Sequence, residues 1–79
     1  MENTKLIFNV LNIFEKKLST EIYEEEIEWD SLNIISMMTI LTEYFSINEK
    51  PENLEKIKKF KDLFEYLNLI SKNHLINYN

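Results

Sequence analysis

Leu6, Ile7, Val10, Leu11, Ile13, Phe14 and Leu18 recur at the spacing of one broad helical face. Lys5, Asn9, Asn12, Glu15 and Lys16 fall opposite that face or along its edges. The pattern predicts an amphipathic helix from Thr4 to about Leu18. Phe8 lies off the apolar face, and the period assigns it no role. Between residues 19 and 30 the period is lost, and Ile22, Tyr23, Ile27 and Trp29 are scattered among acids. This predicts a long first loop with room for one helical turn, pinned by those four side chains.

Asp30 and Ser31 restart the helical pattern. Both are good N-cap residues, because their side-chain oxygens can accept from the free N–H groups of a first turn. The helix that follows runs to about Phe45. Ile34, Met37, Met38, Ile40, Leu41, Tyr44 and Phe45 cover most of its circumference, so it must lie centrally and touch several neighbours. Its polar stripe is narrow: Ser36, Thr39 and Glu43, with Asn33 and Thr42 at the edges. Leu32 stands at the head of that stripe, in register with Ser36, Thr39 and Glu43, so an apolar side chain is expected in solvent one residue after Ser31.

Pro51 suits a first helical position and opens a short piece to about Lys56, with Leu54 and Ile57 turned inward. Phe60, Leu63, Phe64, Leu67 and Ile70 then give helical spacing from about Lys61 to Ile70. Asp62 sits in that first turn, where a negative charge suits the helix dipole. The polar residues 71–79 are expected to fray. The expected fold class is all-α: a small four-helix bundle, three helices longer and one short, with a long first loop.

Composition supports helices. The 79-residue chain has no glycine and one proline, too few turn-formers for a β-rich fold. Alanine and arginine are also absent while Ile, Asn, Lys and Glu are abundant, a compositional bias that reduces the weight of the missing glycine. At this length the chain is a single domain over residues 1–79. With 44% hydrophobic residues it is apolar enough to fold. It has no cysteine, so neither disulfides nor thiolate chemistry are available.

The formal net charge of −5 has the wrong sign for binding nucleic acid. Glu21, Glu24, Glu25, Glu26, Glu28 and Asp30 form an acidic block ahead of Ser31. Lys50, Lys56, Lys58, Lys59 and Lys61 form a later basic stretch. Both are read first as solvated surfaces; the acidic block could also steer basic partners toward Ser31. No run is long and apolar enough for a membrane span, and residues 1–12 lack the basic start and apolar stretch of a signal peptide. The expectation is a cytoplasmic monomer.

Enzyme chemistry finds little support. His74 is the only histidine and falls in the polar tail, without a second ligand for a metal. No nucleophile–base pair and no glycine-rich phosphate loop is present. Met37 and Met38 are expected to fill the core.

The informative stretch is Glu28-Trp29-Asp30-Ser31-Leu32-Asn33. Asp30-Ser31-Leu32, at the start of the second predicted helix, resembles the motif of the acyl carrier protein family, which includes the carrier domains of polyketide and non-ribosomal peptide synthetases. Trp29 resembles variants of biosynthetic carrier domains. Ile35, Ile40, Leu41, Glu43 and Phe45 fit the family's second helix; Lys56-Ile57 and the segment from Phe60 to Leu67, including Tyr66, fit its third and fourth. The resemblance covers nearly the whole chain.

It implies that Ser31 carries a covalent 4′-phosphopantetheine arm derived from coenzyme A. A phosphopantetheinyl transferase would attach the arm. Acyl or aminoacyl groups would ride on it as thioesters, delivered and collected by acyl-activating, acyl-transferring or synthase enzymes. Asp30, Leu32, Ser36, Thr39 and Glu43 would form the recognition surface, with Asp30 orienting the serine or assisting a metal-bound donor. Ile35, Met38, Leu54 and Ile57 could part to shelter a bound chain. The stripe carries one charge where many fatty-acid carriers have several, Trp29 replaces a frequent glycine, and Glu49-Lys50-Pro51 stands near the family's Ile-Pro pair. These departures point to a dedicated biosynthetic pathway. The alternative is a small helical interaction or regulatory module without a prosthetic group, in which Ser31 is a plain helix cap.

Overall fold

The computed structural model describes residues 3–78, with side-chain surroundings over 4–72. Among the described residues there are four α-helices: α1 (Asn3–Ile13), α2 (Ser31–Phe45), α3 (Pro51–Glu55) and α4 (Phe60–Tyr78). A single 3-10 turn, Glu21–Glu24, interrupts the first loop. There is no strand among the described residues, only one isolated antiparallel bridge between Glu26 and Lys59. The expected all-helical bundle of three longer helices and one short one is what the chain forms.

The core explains the arrangement. Leu6, Val10 and Leu11 of α1 meet Met37, Leu41 and Phe45 of α2, Leu54 of α3, and Phe60, Leu63 and Leu67 of α4, all buried. Each such side chain contributes roughly 1.5–3 kcal/mol on leaving water. The mostly apolar α2 packs against α1, α3 and α4, which gives it the central place its sequence demands. Ile22 and Ile27 of the long loop join the core, and Trp29 packs against it half-buried. Tyr23, expected to pin the loop as well, is exposed, although its ring meets Phe64 edge-on at 5.5 Å.

Two helix ends differ from the periodicity. α1 stops at Ile13, five residues short of the predicted Leu18. Glu15 adopts a left-handed conformation with φ 57°. The Lys16 N–H donates to the Leu11 carbonyl at 2.9 Å and the Glu15 N–H to the Asn12 carbonyl at 3.1 Å. Those two bonds close the helix as a Schellman motif, normally served by glycine. Leu18 therefore leaves the apolar face and is exposed. α2 also ends at a left-handed residue, Ser46 at φ 57°, but with a different bond: its N–H donates to the Thr42 carbonyl at 2.9 Å, the simpler left-handed cap. At the other end of the chain, α4 remains helical to Tyr78 where an end near Ile70 was expected. Ser71 is buried on that extension. The side chain of His74 lies outside the described residues.

The long loop is fastened to the α3–α4 connection by backbone pairing. The Ile27 N–H donates to the Lys58 carbonyl at 2.7 Å, and the Phe60 N–H donates to the Glu25 carbonyl at 3.1 Å. The Trp29 indole Nε1–H adds a third bond, to the Ile57 carbonyl at 2.8 Å. Ion pairs surround this strap: Lys16 with Glu25 at 2.9 Å, and Lys59 and Lys61 with Glu24 at 3.2 and 3.3 Å. These pairs are solvent-exposed and individually weak. The two lysine hydrogen bonds hold the Glu24 carboxyl below its ordinary range.

Candidate functional site around Ser31

The N-terminus of α2 is built by Asp30 and Asn33. Asp30 Oδ1 accepts from the Asn33 N–H at 2.8 Å, and Asn33 Oδ1 accepts from the Asp30 N–H at 2.9 Å. This reciprocal box satisfies donors that the helix cannot. Asn33 Nδ2 also donates to the Glu28 carbonyl at 3.0 Å, which ties the approaching loop down. Asn33 is consequently buried, not at the edge of the polar stripe where periodicity placed it. Its spacing from Asp30 is the capping-box spacing, and that signal could have identified it from sequence.

Ser31 is thereby released from the capping task. It occupies the first helical position, exposed, and its hydroxyl has no hydrogen-bond partner among the described residues. The N–H groups of Ser31 and Leu32 are likewise not used by the cap. An anion at Ser31 would meet free N–H donors at the positive end of a fifteen-residue helix. Carboxylates at Glu28 and Asp30 oppose such an anion; Lys58, which lines the groove beside Ser31, offsets them.

The other expected recognition residues are distributed unevenly. Leu32 is 74% exposed, as its register requires. Asp30, Thr39 and Glu43 are exposed, while Ser36 is half-buried. The Thr39 hydroxyl donates to the Ile35 carbonyl at 3.0 Å, one turn back. The polar stripe is less polar than expected, because Ile35 is 61% exposed and widens the apolar surface next to Leu32. Periodicity missed this exposure, since it treated α2 as covered almost all round.

Two grooves flank Ser31. One, of about 750 Å³, lies between α2 and α3 and is lined by Ile27, Trp29, Ile34, Ile35, Met38 and Pro51, with Ser31, Asp30, Glu55 and Lys58 at its polar edge. The other, of about 400 Å³, lies where α1 ends, lined by Ile13, Phe14, Leu32, Asn33 and Phe60 beneath Glu15, Lys16, Glu25, Glu26, Glu28 and Asp30. Of the four residues expected to shelter a chain, Ile35 and Met38 line the larger groove, Leu54 is fully buried in the core, and the Ile57 carbonyl is held by Trp29. Among the described residues no group of three or more His, Cys, Asp or Glu side chains could hold a metal ion, and no helix is long and apolar enough to cross a membrane. No known family model matches the chain, and no solved structure matches it.

Proposed function

We propose that this chain is an acyl carrier protein with Ser31 as the attachment point of a 4′-phosphopantetheine arm. The observation that supports it most is the division of labour at the head of α2. Asp30 and Asn33 make the cap, so the plain-cap account of Ser31 loses its physical basis, and an exposed, unengaged hydroxyl remains beside an apolar groove. The bundle, with α2 central, a long first loop and a short third helix, is compatible with this reading.

The residues present fit the arm. Attachment requires the Ser31 hydroxyl to lose its proton and bond to the β-phosphorus of coenzyme A, with 3′,5′-adenosine bisphosphate leaving. Ser31 offers an accessible oxygen for this step. The free N–H groups of Ser31 and Leu32 stabilise the phosphodiester that results. Asp30 keeps one carboxylate oxygen in the cap, and its other oxygen is free to orient the serine or assist a metal-bound donor. The arm supplies a terminal thiol that holds acyl or aminoacyl groups as thioesters. Leu32 presents an apolar anchor to a phosphopantetheinyl transferase and to the acyl-activating, acyl-transferring or synthase enzymes of a dedicated pathway. Ser36, Thr39 and Glu43 continue that surface along α2.

The test is intact-protein mass after incubation with coenzyme A, Mg²⁺ and a broad-specificity phosphopantetheinyl transferase. The native chain should gain one phosphopantetheinyl group and Ser31→Ala none. A folded native chain that gains nothing, with dedicated transferases also tried, would put a helical interaction module using Leu32 and Ile35 in its place.

A further inference from the structure

Trp29 stands between the two grooves. It lines the larger one beside Ile34, Met38 and Ser31. Its ring meets Phe14 edge-to-face, with centroids 5.4 Å apart and planes at 79°. Phe14 in turn lines the smaller groove and stacks edge-on against Phe60 at 5.2 Å. The two rings therefore meet nearly at right angles, each lining a different cavity. Asp30, immediately before the attachment serine, borders both. Trp29 is also held from a third side, because its indole N–H donates to the Ile57 carbonyl at 2.8 Å. A ring fixed by an edge-to-face partner and a hydrogen bond is a rigid obstacle.

We propose that Trp29, backed by Phe14, is the partition that sets how long a group attached at Ser31 can be accommodated. A short apolar group enters the larger groove and lies against Ile35 and Met38. A longer one meets the indole and must turn out into solvent, because the way into the smaller groove is closed. Replacing the indole by a smaller side chain joins the two grooves, and a long chain then reaches Ile13. The groove wall is thus a length-selecting device, with Trp29 as the specificity-determining residue. This rests on the carrier reading for the identity of the natural cargo.

The chain has no cysteine, so Ser31→Cys introduces a unique thiol and allows a test that needs no transferase. The thiolate adds across the double bond of an N-alkylmaleimide, the proton passes to the neighbouring carbon, and nothing leaves. The probes are N-ethyl-, N-hexyl- and N-decylmaleimide, and the readout is the methyl resonances of Ile13, Ile35 and Met38. With Trp29 in place, hexyl and decyl labels shift Ile35 and Met38 relative to ethyl and leave Ile13 unmoved. With Trp29→Leu added, the decyl label shifts Ile13 as well. With Trp29→Phe, which keeps a ring, Ile13 stays silent.

An Ile13 response to the decyl label in the Trp29 protein overturns the partition. So does a silent Ile13 in a folded Trp29→Leu protein, or unmoved Ile35 and Met38 with every label. If Trp29→Leu fails to fold, Phe14→Leu opens the same wall from the other side and decides the matter. Failure of Ser31 phosphopantetheinylation with these methyl responses intact would sink the carrier reading and leave the partition standing.

Discussion

The Tyr66 hydroxyl donates to Glu49 Oε1 at 2.6 Å, joining the middle of α4 to the loop between α2 and α3. The other carboxylate oxygen of Glu49 accepts from Asn53 Nδ2 at 2.8 Å and from the Lys50 N–H at 3.2 Å. One carboxylate thus fixes the entry to α3, the helix that forms a wall of the larger groove. The Tyr66 bond, followed by that of Asn53, holds the Glu49 carboxyl below its ordinary value of 4.5. Burial, and then the same carboxylate, push the Tyr66 phenol above its ordinary 10.0.

Both shifts make stability depend on pH. A depressed Glu49 stabilises the fold above about pH 4.5, and that contribution is lost as pH falls through its lower folded value. A raised Tyr66 stabilises the fold below about pH 10, and that contribution is lost as pH rises toward its higher folded value. Tyr66→Phe should cost about 1–2 kcal/mol at neutral pH, since it leaves a hydrogen-bonded charge one donor short. It should also flatten the alkaline fall in Tm. Melting curves of both proteins from acid to pH 11 would show this, and parallel alkaline falls would disprove it.

Glu15 occupies the position where a helix end usually places glycine. A non-glycine residue held in the left-handed region costs about 1–2 kcal/mol. Glu15→Gly should therefore raise stability by about 1 kcal/mol, although glycine's freedom in the unfolded chain returns part of the gain. The check is a urea midpoint shifted upward with an unchanged denaturant slope.

Ser71 is 2% exposed, and its hydroxyl has no partner among the described residues. It borders a small cavity of about 50 Å³ with Leu6, Ile7, Phe64 and Leu67. Ser71→Ala removes a buried polar atom that none of the described residues satisfies and should stabilise the fold by about 1 kcal/mol. In a domain of this size that is roughly 4–8 °C in Tm. An unchanged or lower Tm would show that the hydroxyl finds a partner in solution.

Ser31 and Asn33 should respond oppositely to truncation. Ser31→Ala removes no cap and should leave stability within about 0.5 kcal/mol of native. Asn33→Ala opens both the capping box and the bond to the Glu28 carbonyl, and should cost about 1–3 kcal/mol. The contrast also protects the phosphopantetheinylation test, since loss of modification in a stable Ser31→Ala protein cannot be blamed on unfolding. Thermal melts of the two variants measure it.

What could be read from sequence was local. The start of α2 and the exposure of Leu32 followed from side-chain chemistry and register within a few residues. Pro51 marked α3 for the same reason. The stop of α1 escaped because a glutamate does the work that a glycine would have advertised. The exposure of Ile35 escaped because a nearly all-apolar helix does not say which of its sides a neighbour leaves bare. The strap between Glu25–Ile27 and Lys58–Phe60 could not be read at all. It is backbone pairing between segments far apart in the chain, and the two buried side chains it carries, Ile27 and Phe60, do not reveal which backbone groups pair. The contact between Trp29 and Phe14, beside that strap, likewise shows only in three dimensions.

The strap has a consequence for how the molecule comes apart. It joins positions 28 residues apart at Trp29 and Ile57, so α2 and α3 lie inside a closed loop whose neck is hydrogen-bonded. Closing a loop of that length costs about 3 kcal/mol of chain entropy, which only a formed neck recovers. The enclosed segment is therefore expected to exchange its amide hydrogens as one cooperative unit. The N-terminal half of α1 and the far end of α4, outside the neck, are free to open first. Ser31 sits just inside the neck, on the part of the chain that is last to loosen.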